Sequence, residues 1–120
     1  MKILVVDDDL RIVKTTCDIL RIKGHEPLAA HSGEEGVEKV RNDRPDCVLM
    51  DIKMPGISGV ESMKRMQEIV PGLPVVLVSA YAAEDLIAEA KRSGAYACLY
   101  KPLEMDNLFQ VLEGIRITKL

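Results

Sequence analysis

Residues 3–9 read ILVVDDD, a short apolar run that ends in three adjacent aspartates. An apolar run without alternation is typical of a strand covered on both faces, as in a parallel sheet. Because such strands are joined by helical crossovers, the segments between the runs should be helical. Four similar runs follow along the chain, the first of them weak: residues 26–30, 47–50, 75–78 and 95–100.

Helical patterns fill the segments between these runs. Val13, Cys17 and Leu20 recur at a spacing that places them on one face of a helix over residues 10–23. Strand alternating with helix five times predicts an α/β fold with right-handed βαβ units and a five-stranded parallel sheet. Serines followed three residues later by glutamates have capping-box spacing at the starts of the second and third helices: Ser32 and Glu35, and Ser58 and Glu61.

Composition argues against nucleic-acid binding, membrane insertion and a disulfide framework. Lys and Arg total 16 against 19 Asp and Glu, for a net charge of −3, so we expect no direct binding of nucleic acid by this domain. No apolar run is long enough to span a bilayer and no signal-peptide pattern follows Met1, so we expect a cytoplasmic domain without a membrane partner. The three cysteines are widely spaced and form neither a metal-ligand nor a disulfide pattern, which suits a reducing compartment.

Polar residues stand at the carboxyl ends of four predicted strands. Asp7 and Asp8 follow the first run, Asp51 ends the third, Ser79 the fourth and Lys101 the fifth. In open α/β sheets the functional site lies outside the carboxyl ends of the strands. The sequence therefore predicts three carboxylates, one hydroxyl and one ammonium at a single edge of the sheet.

These groups suit phosphoryl transfer. Three neighbouring carboxylates repel one another, and Mg²⁺ relieves that repulsion by taking carboxylate oxygens as ligands while it keeps several waters. The ammonium of Lys101 and the hydroxyl of Ser79 suit an anion with several oxygens, such as a phosphoryl group. A metal ion, a lysine and a carboxylate nucleophile together are the equipment for phosphoryl transfer onto aspartate.

Along its whole length the sequence resembles the receiver domain of bacterial response regulators, the CheY-like family. The resemblance implies a flavodoxin-like, doubly wound sheet with strand order 2-1-3-4-5, in one receiver domain over residues 1–120. The matching motifs occur in the family's order at the predicted strand ends: Asp7-Asp8, residues 51–55 (DIKMP) with Gly59, Ser79-Ala80 and Lys101-Pro102.

The resemblance also implies a role for each of these residues. Asp51 would be the phosphoacceptor and Lys101 would contact the phosphoryl oxygens. Asp8 would be a direct ligand of Mg²⁺ or Mn²⁺, and Asp7 would act at least partly through water. The backbone carbonyl of Lys53 would complete the protein's share of the metal shell.

A conformational switch is implied as well, with one departure from the family pattern. Ser79 would turn toward the phosphoryl group after transfer, and Lys101-Pro102 would be a cis peptide. The family usually has an aromatic residue three positions before the lysine, where this chain has Cys98. Tyr96 and Tyr100 are expected to share a strand face if the period of two holds, and Tyr100 could offer the surface aromatic.

Two further positions bear on the lifetime of the phosphorylated form. By resemblance, the side chains of Lys53 and Tyr81 flank the path of a water that attacks the acyl phosphate. Both are long and neither is a base at neutral pH, so we expect them to crowd the approach and to slow hydrolysis. The alternative is that both side chains point into solvent and have no effect.

The resemblance implies a signalling phosphoacceptor rather than an enzyme. Its partners would be a sensor histidine kinase or a histidine phosphotransfer protein, and a downstream output domain or protein.

Two other classes of protein remain open, an enzyme and a cofactor-binding protein. An aspartate-nucleophile phosphohydrolase of the haloacid-dehalogenase type would use Asp7, but this chain has Ser79-Ala80 where those enzymes resemble one another in a second acidic pair. A flavodoxin-like cofactor binder shares the fold, but three acids stand where a phosphate-binding loop would be. Mapping the phosphorylated residue to Asp51 or to Asp7 separates the receiver from the hydrolase.

Overall fold

A computed structural model of the chain describes residues 1–80 and 84–119. The strands form one parallel sheet in the order β2-β1-β3-β4-β5, which confirms the predicted doubly wound α/β fold and its strand order. Strands and helices alternate along the chain: β1 (Lys2–Val6), α1 (Leu10–Ile22), β2 (Glu26–Ala30), α2 (Gly33–Asp43), β3 (Cys47–Asp51), α3 (Gly59–Ile69), β4 (Val75–Ser79), α4 (Glu84–Arg92), β5 (Ala97–Tyr100) and α5 (Met105–Thr118).

Helices cover both faces of the sheet, and this explains why the apolar runs do not alternate. In β1, for example, Leu4 and Val6 face one layer while Ile3 and Val5 face the other. One face is covered by buried side chains of α1 and α5: Val13, Cys17, Leu20, Leu108, Leu112 and Ile115. The opposite face is covered by buried side chains of α2, α3 and α4: Val37, Val40, Val60, Met63, Met66, Ile87 and Ala90.

The two predicted capping motifs begin their helices. The hydroxyl oxygen of Ser32 accepts a hydrogen bond from the N–H of Glu35 at 3.0 Å, and that of Ser58 accepts one from the N–H of Glu61 at 3.1 Å. The Glu35 carboxylate in turn accepts a bond from the N–H of His31 at 3.2 Å. These bonds satisfy helix-end donors that would otherwise lack a partner.

The fifth strand begins two residues later than the sequence suggested. The N–H of Ala95 donates to the carbonyl oxygen of Ala90 at 3.0 Å, which ties residue 95 to the end of α4, and β5 starts only at Ala97. Tyr96 therefore precedes the strand, so the period of two does not place it on a shared strand face with Tyr100.

The cysteines are free thiols with no role as ligands in the described chain. Cys17 and Cys47 are buried and Cys98 is half-buried. Burial raises the pKa of the Cys47 thiol to about 12, and it also raises the pKa values of Cys17 and Cys98. All three therefore stay neutral at pH 7, and Cys17 and Cys47 belong to the core on the α1 and α5 face. None of the described helices has the length and apolarity needed to cross a membrane.

The core on the α1 side can be tested with two substitutions on one helix. Leu20 is fully buried, whereas Ile22 is 81% exposed. We expect Leu20→Ala to lower the free energy of unfolding by about 2–5 kcal/mol, because it removes buried methyl groups and leaves a cavity. Ile22→Ala should change it by less than about 0.5 kcal/mol. Urea unfolding followed by circular dichroism measures both, and equal losses would contradict the assignment of faces.

Candidate functional site

The register of the sheet brings the predicted site residues to one edge, here called the carboxyl edge. Strands β1, β3, β4 and β5 pair so that their C-terminal ends lie side by side. Asp7 follows the last residue of β1, Asp51 and Ser79 are the last residues of β3 and β4, and Lys101 follows β5. The N–H of Lys101 donates to the carbonyl oxygen of Ser79 at 2.8 Å and so ties two of these ends together.

Three carboxylates converge at this edge. One oxygen each from Asp7, Asp8 and Asp51 lies within 4.8 Å of the others, a grouping that no other His, Cys, Asp or Glu side chains make within residues 1–80 and 84–119. Asp7 and Asp51 are 6% and 8% exposed, whereas Asp8 is exposed to solvent. An all-oxygen, all-anionic donor set with an open side fits Mg²⁺, which prefers such ligands and keeps part of its water shell.

Burial makes the charge on Asp7 costly. The pKa of its carboxyl lies above the usual range, chiefly because burial disfavours the charged form and also because Asp51 and Asp8 are adjacent. The N–H of Asp9, which donates to Asp7 Oδ1 at 2.9 Å, and the ammonium of Lys101 act in the opposite direction. The carboxylates are thus held together at a cost that a divalent cation relieves.

The Lys101 ammonium is the cation that the chain itself supplies. Its Nζ donates to Asp51 Oδ2 at 3.0 Å and lies 3.9 Å from Asp7 Oδ2. Burial works to lower the pKa of Lys101, but the hydrogen bond and charge of Asp51, with the charges of Asp7 and Asp8, raise it above its ordinary value. Lys101 therefore stays charged at neutral pH. The Lys101-Pro102 peptide is cis, as the resemblance implied.

The other predicted residues that the structure describes lie on β4, on β5 and on the loop after β3. Ser79 is 2% exposed, and its hydroxyl donates to the carbonyl oxygen of Ala80 at 2.8 Å. Cys98 is half-buried against the core of the α2, α3 and α4 face, while Tyr100 is 41% exposed. Lys53 is exposed on the loop after β3. Tyr81 lies outside the described residues.

A cavity beside the site was not anticipated from the sequence. It has a volume of about 520 Å³ and lies between α1 and the start of α5, with Asp51 and Lys101 in its wall. Most of its lining is apolar, including Ile12 and Leu103. The sequence does place two apolar residues, Leu10 and Ile12, in the first turn of α1. In the structure they are 62% and 40% exposed, and Ile12 lines the cavity.

Comparison with known proteins identifies the family. Residues 3–113 match the family model described as response regulator receiver domain, so the chain belongs to that family. It is a receiver domain of the kind that acts as phosphoacceptor in two-component signalling.

The relatives include one protein of similar length and one much longer protein. Sporulation initiation phosphotransferase F of Bacillus subtilis (strain 168) is 36% identical over 107 residues, which are 89% of this chain and 86% of that protein. Transcriptional regulatory protein ZraR of Escherichia coli (strain K12) is 37% identical over 111 residues, which are 92% of this chain but 25% of that protein. The chain thus spans about a quarter of the longer relative.

Solved structures agree on the fold. The crystal structure of a CheY-like response regulator receiver domain protein from Methanospirillum hungatei JF-1 superposes with a TM-score of 0.91 at 31% identity, covering 98% of this chain and 95% of that chain. A receiver domain protein from Clostridium thermocellum gives a TM-score of 0.92, also at 31% identity.

The cost of the Asp7 charge predicts a pH-dependent stability. The pKa of Asp7 is raised in the folded state, so its ionisation destabilises the fold as the pH rises above 3.8, the ordinary value. We expect Asp7→Asn, whose side-chain oxygen can still accept the Asp9 bond, to be more stable than the parent at pH 7 in EDTA. The difference should shrink as the pH falls and should vanish below 3.8, where Asp7 is protonated in both the folded and the unfolded state.

Urea unfolding at several pH values measures this difference. Glu68→Gln, at an exposed position on α3, is the control for removing one negative charge. An Asp7→Asn protein less stable than the parent in EDTA at pH 7 would contradict the proposed repulsion.

Proposed function

We propose that Asp51 accepts the phosphoryl group, with Mg²⁺ or Mn²⁺ held by Asp51, Asp8 and, at least partly through water, Asp7. The observation that carries this is the contact of 3.0 Å between the Lys101 ammonium and a buried carboxylate that lies in a cluster of three. A purely structural ion pair needs one acid, whereas the two additional carboxylates here add repulsion that only a further cation removes.

In the proposed reaction a carboxylate oxygen of Asp51 attacks the phosphorus of the donor. The bond from phosphorus to the donor breaks, and the donor leaves with the electron pair. Lys101, already beside Asp51, contacts the phosphoryl oxygens and stabilises their charge in the transition state. A bound metal ion supplies further neutralisation of that charge, and the backbone carbonyl of Lys53 serves as one of its ligands.

We infer that Ser79 carries the response to phosphorylation. Its hydroxyl exchanges the bond to the Ala80 carbonyl for one to a phosphoryl oxygen, which displaces the backbone at Ala80. Cys98, in place of the usual aromatic residue, and the exposed Tyr100 lie on β5, where Tyr100 pairs with Ser79. Phosphorylation then shifts an equilibrium that exists before it.

We propose that residues 1–120 form one receiver domain that works in the cytoplasm as a signalling phosphoacceptor and not as an enzyme. Its phosphoryl donor is a sensor histidine kinase or a histidine phosphotransfer protein, and it acts on a downstream output domain or protein without binding nucleic acid itself. The apolar cavity beside Asp51, with exposed Leu10 and Ile12 at the start of α1, suits the docking of the donor protein.

Phosphorylation of Asp51 is tested directly with a small phosphodonor. Acetyl phosphate and Mg²⁺ should add one phosphoryl group to the parent and none to Asp51→Asn, which lacks the nucleophile. Asp8→Asn should need much more Mg²⁺ for the same labelling, because it loses a charged ligand. Asp85→Asn, at an exposed position on α4, is the control. Intact-mass and peptide mass spectrometry give the readout, and a phosphoryl group mapped to Asp7 would support the hydrolase class instead.

The lifetime of the phosphorylated form is a second test. We expect slow hydrolysis, because the resemblance to receiver domains implies that long side chains at positions 53 and 81, here Lys53 and Tyr81, flank the path of the water that must approach in line with the bond to Asp51. The double variant Lys53→Asn with Tyr81→Glu should lose phosphate faster, measured as inorganic phosphate released from purified protein in Mg²⁺ without a kinase. A parent that loses its phosphate within seconds, or a double variant no faster than the parent, would count against the shielding.

A further inference from the structure

The loop of residues 52–58 between β3 and α3 contains Lys53, the only proposed metal ligand that is not a carboxylate. A backbone hydrogen bond and a close backbone contact hold the two ends of this loop together. The N–H of Gly59 donates to the carbonyl oxygen of Ile52 at 2.7 Å, and a Cβ on Gly59 would lie 2.4 Å from the carbonyl oxygen of Asp51. With its ends fixed, the shape of the loop depends on what packs against its outer side.

The outer side of the loop packs against the first residue of α2. A Cβ on Gly33 would lie 2.0 Å from the hydroxyl oxygen of Ser62 and 2.8 Å from Cγ1 of Ile57. Ser62 is fully buried, and its hydroxyl donates to the carbonyl oxygen of Ser58 at 2.8 Å. The backbone at Gly33 therefore lies directly against the end of the loop, at a distance that no side chain allows.

The second residue of α2 covers the middle of the loop. The two carboxylate oxygens of Glu34 lie 2.7 and 3.0 Å from the point where a Cβ on Gly56 would be. Gly56 has φ +82°, a conformation that glycine adopts without strain. Glu34 thus rests on the exposed backbone of Gly56, three residues after Lys53.

We propose that the N-terminal turn of α2, through Gly33 and Glu34, positions the loop and thereby sets the affinity of the site for Mg²⁺. Neither residue is itself a ligand. Asp51 is the last residue of β3 and Asp7 and Asp8 directly follow β1, whereas the Lys53 carbonyl belongs to irregular backbone two residues beyond β3. Substitution of residues that hold metal ligands in position commonly lowers metal affinity by about tenfold or more. The inference rests on the proposed metal site.

A matched pair of glycine substitutions on one helix tests the positioning role. Gly33→Ala places a methyl group against the loop, and we expect it to weaken Mg²⁺ binding about tenfold. Gly36→Ala adds the same group to the same helix, but there it would meet the Cε of Met66 at 3.0 Å and the Cγ2 of Val6 at 3.1 Å, away from the loop. Gly36→Ala should bind Mg²⁺ like the parent. Isothermal titration of the unphosphorylated proteins gives the dissociation constants, and urea unfolding in EDTA confirms that each is folded.

Substitutions at Glu34 keep the test decisive if Gly33→Ala does not fold. Glu34→Ala removes the side chain that covers Gly56 and should weaken Mg²⁺ binding several-fold, while Glu34→Gln keeps the shape without the charge and should restore it. Equal weakening by both would mean that Glu34 acts by its charge, and would overturn the positioning role.

Asp8→Asn separates this inference from the metal site on which it rests. If Asp8→Asn loses Mg²⁺ affinity while Gly33→Ala and Glu34→Ala bind like the parent, the metal site stands and the positioning role is wrong. If Asp8→Asn binds Mg²⁺ like the parent, the metal site itself is wrong.

Discussion

The mutual repulsion of three carboxylates at the carboxyl edge is the constraint on which the rest of the molecule depends. Asp7 and Asp51 are buried, so their charges cannot be dispersed into water. Within residues 1–80 and 84–119, the only cation that forms an ion pair with both is the Lys101 ammonium. A rigid parallel sheet with helices on both faces keeps the acids from moving apart. The fold thus holds together groups that repel one another, and the proposed metal ion and phosphoryl group would act on that arrangement.

The fold and the position of the site follow from local patterns in the sequence. Apolar runs without alternation predict central strands. Parallel strands bring their C-terminal residues to one edge of the sheet, so the sequence predicts that Asp7, Asp51, Ser79 and Lys101 lie together. The roles of individual residues came from resemblance to receiver domains. The predicted start of β5 was wrong because the N–H of Ala95 bonds to the end of α4, which keeps residue 95 out of the strand. The pattern of apolar residues does not predict that bond.

Contacts between elements distant in sequence were beyond the reach of the sequence patterns. In the sequence, Gly33 has no feature beyond its place at the start of a helix. Its contact with Ser62 depends on the packing of α2 against α3. The cavity beside Asp51 likewise lies between α1 and the start of α5, two segments that are distant in sequence. The same family includes relatives named as a phosphotransferase and as a transcriptional regulator, so the fold alone does not decide the output.

The ion pair between Lys101 and Asp51 places two cations in competition for one anion. The ammonium already contacts Asp51 Oδ2 at 3.0 Å, and the proposed metal ion would take a ligand from the same carboxylate. In the proposed site the lysine would therefore act as an internal antagonist of the metal. On the proposed phosphorylation of Asp51, the added oxygens would provide enough negative charge for both cations, and the antagonists would become joint ligands of the product. Phosphorylation would in this way end the competition that unphosphorylated Asp51 imposes.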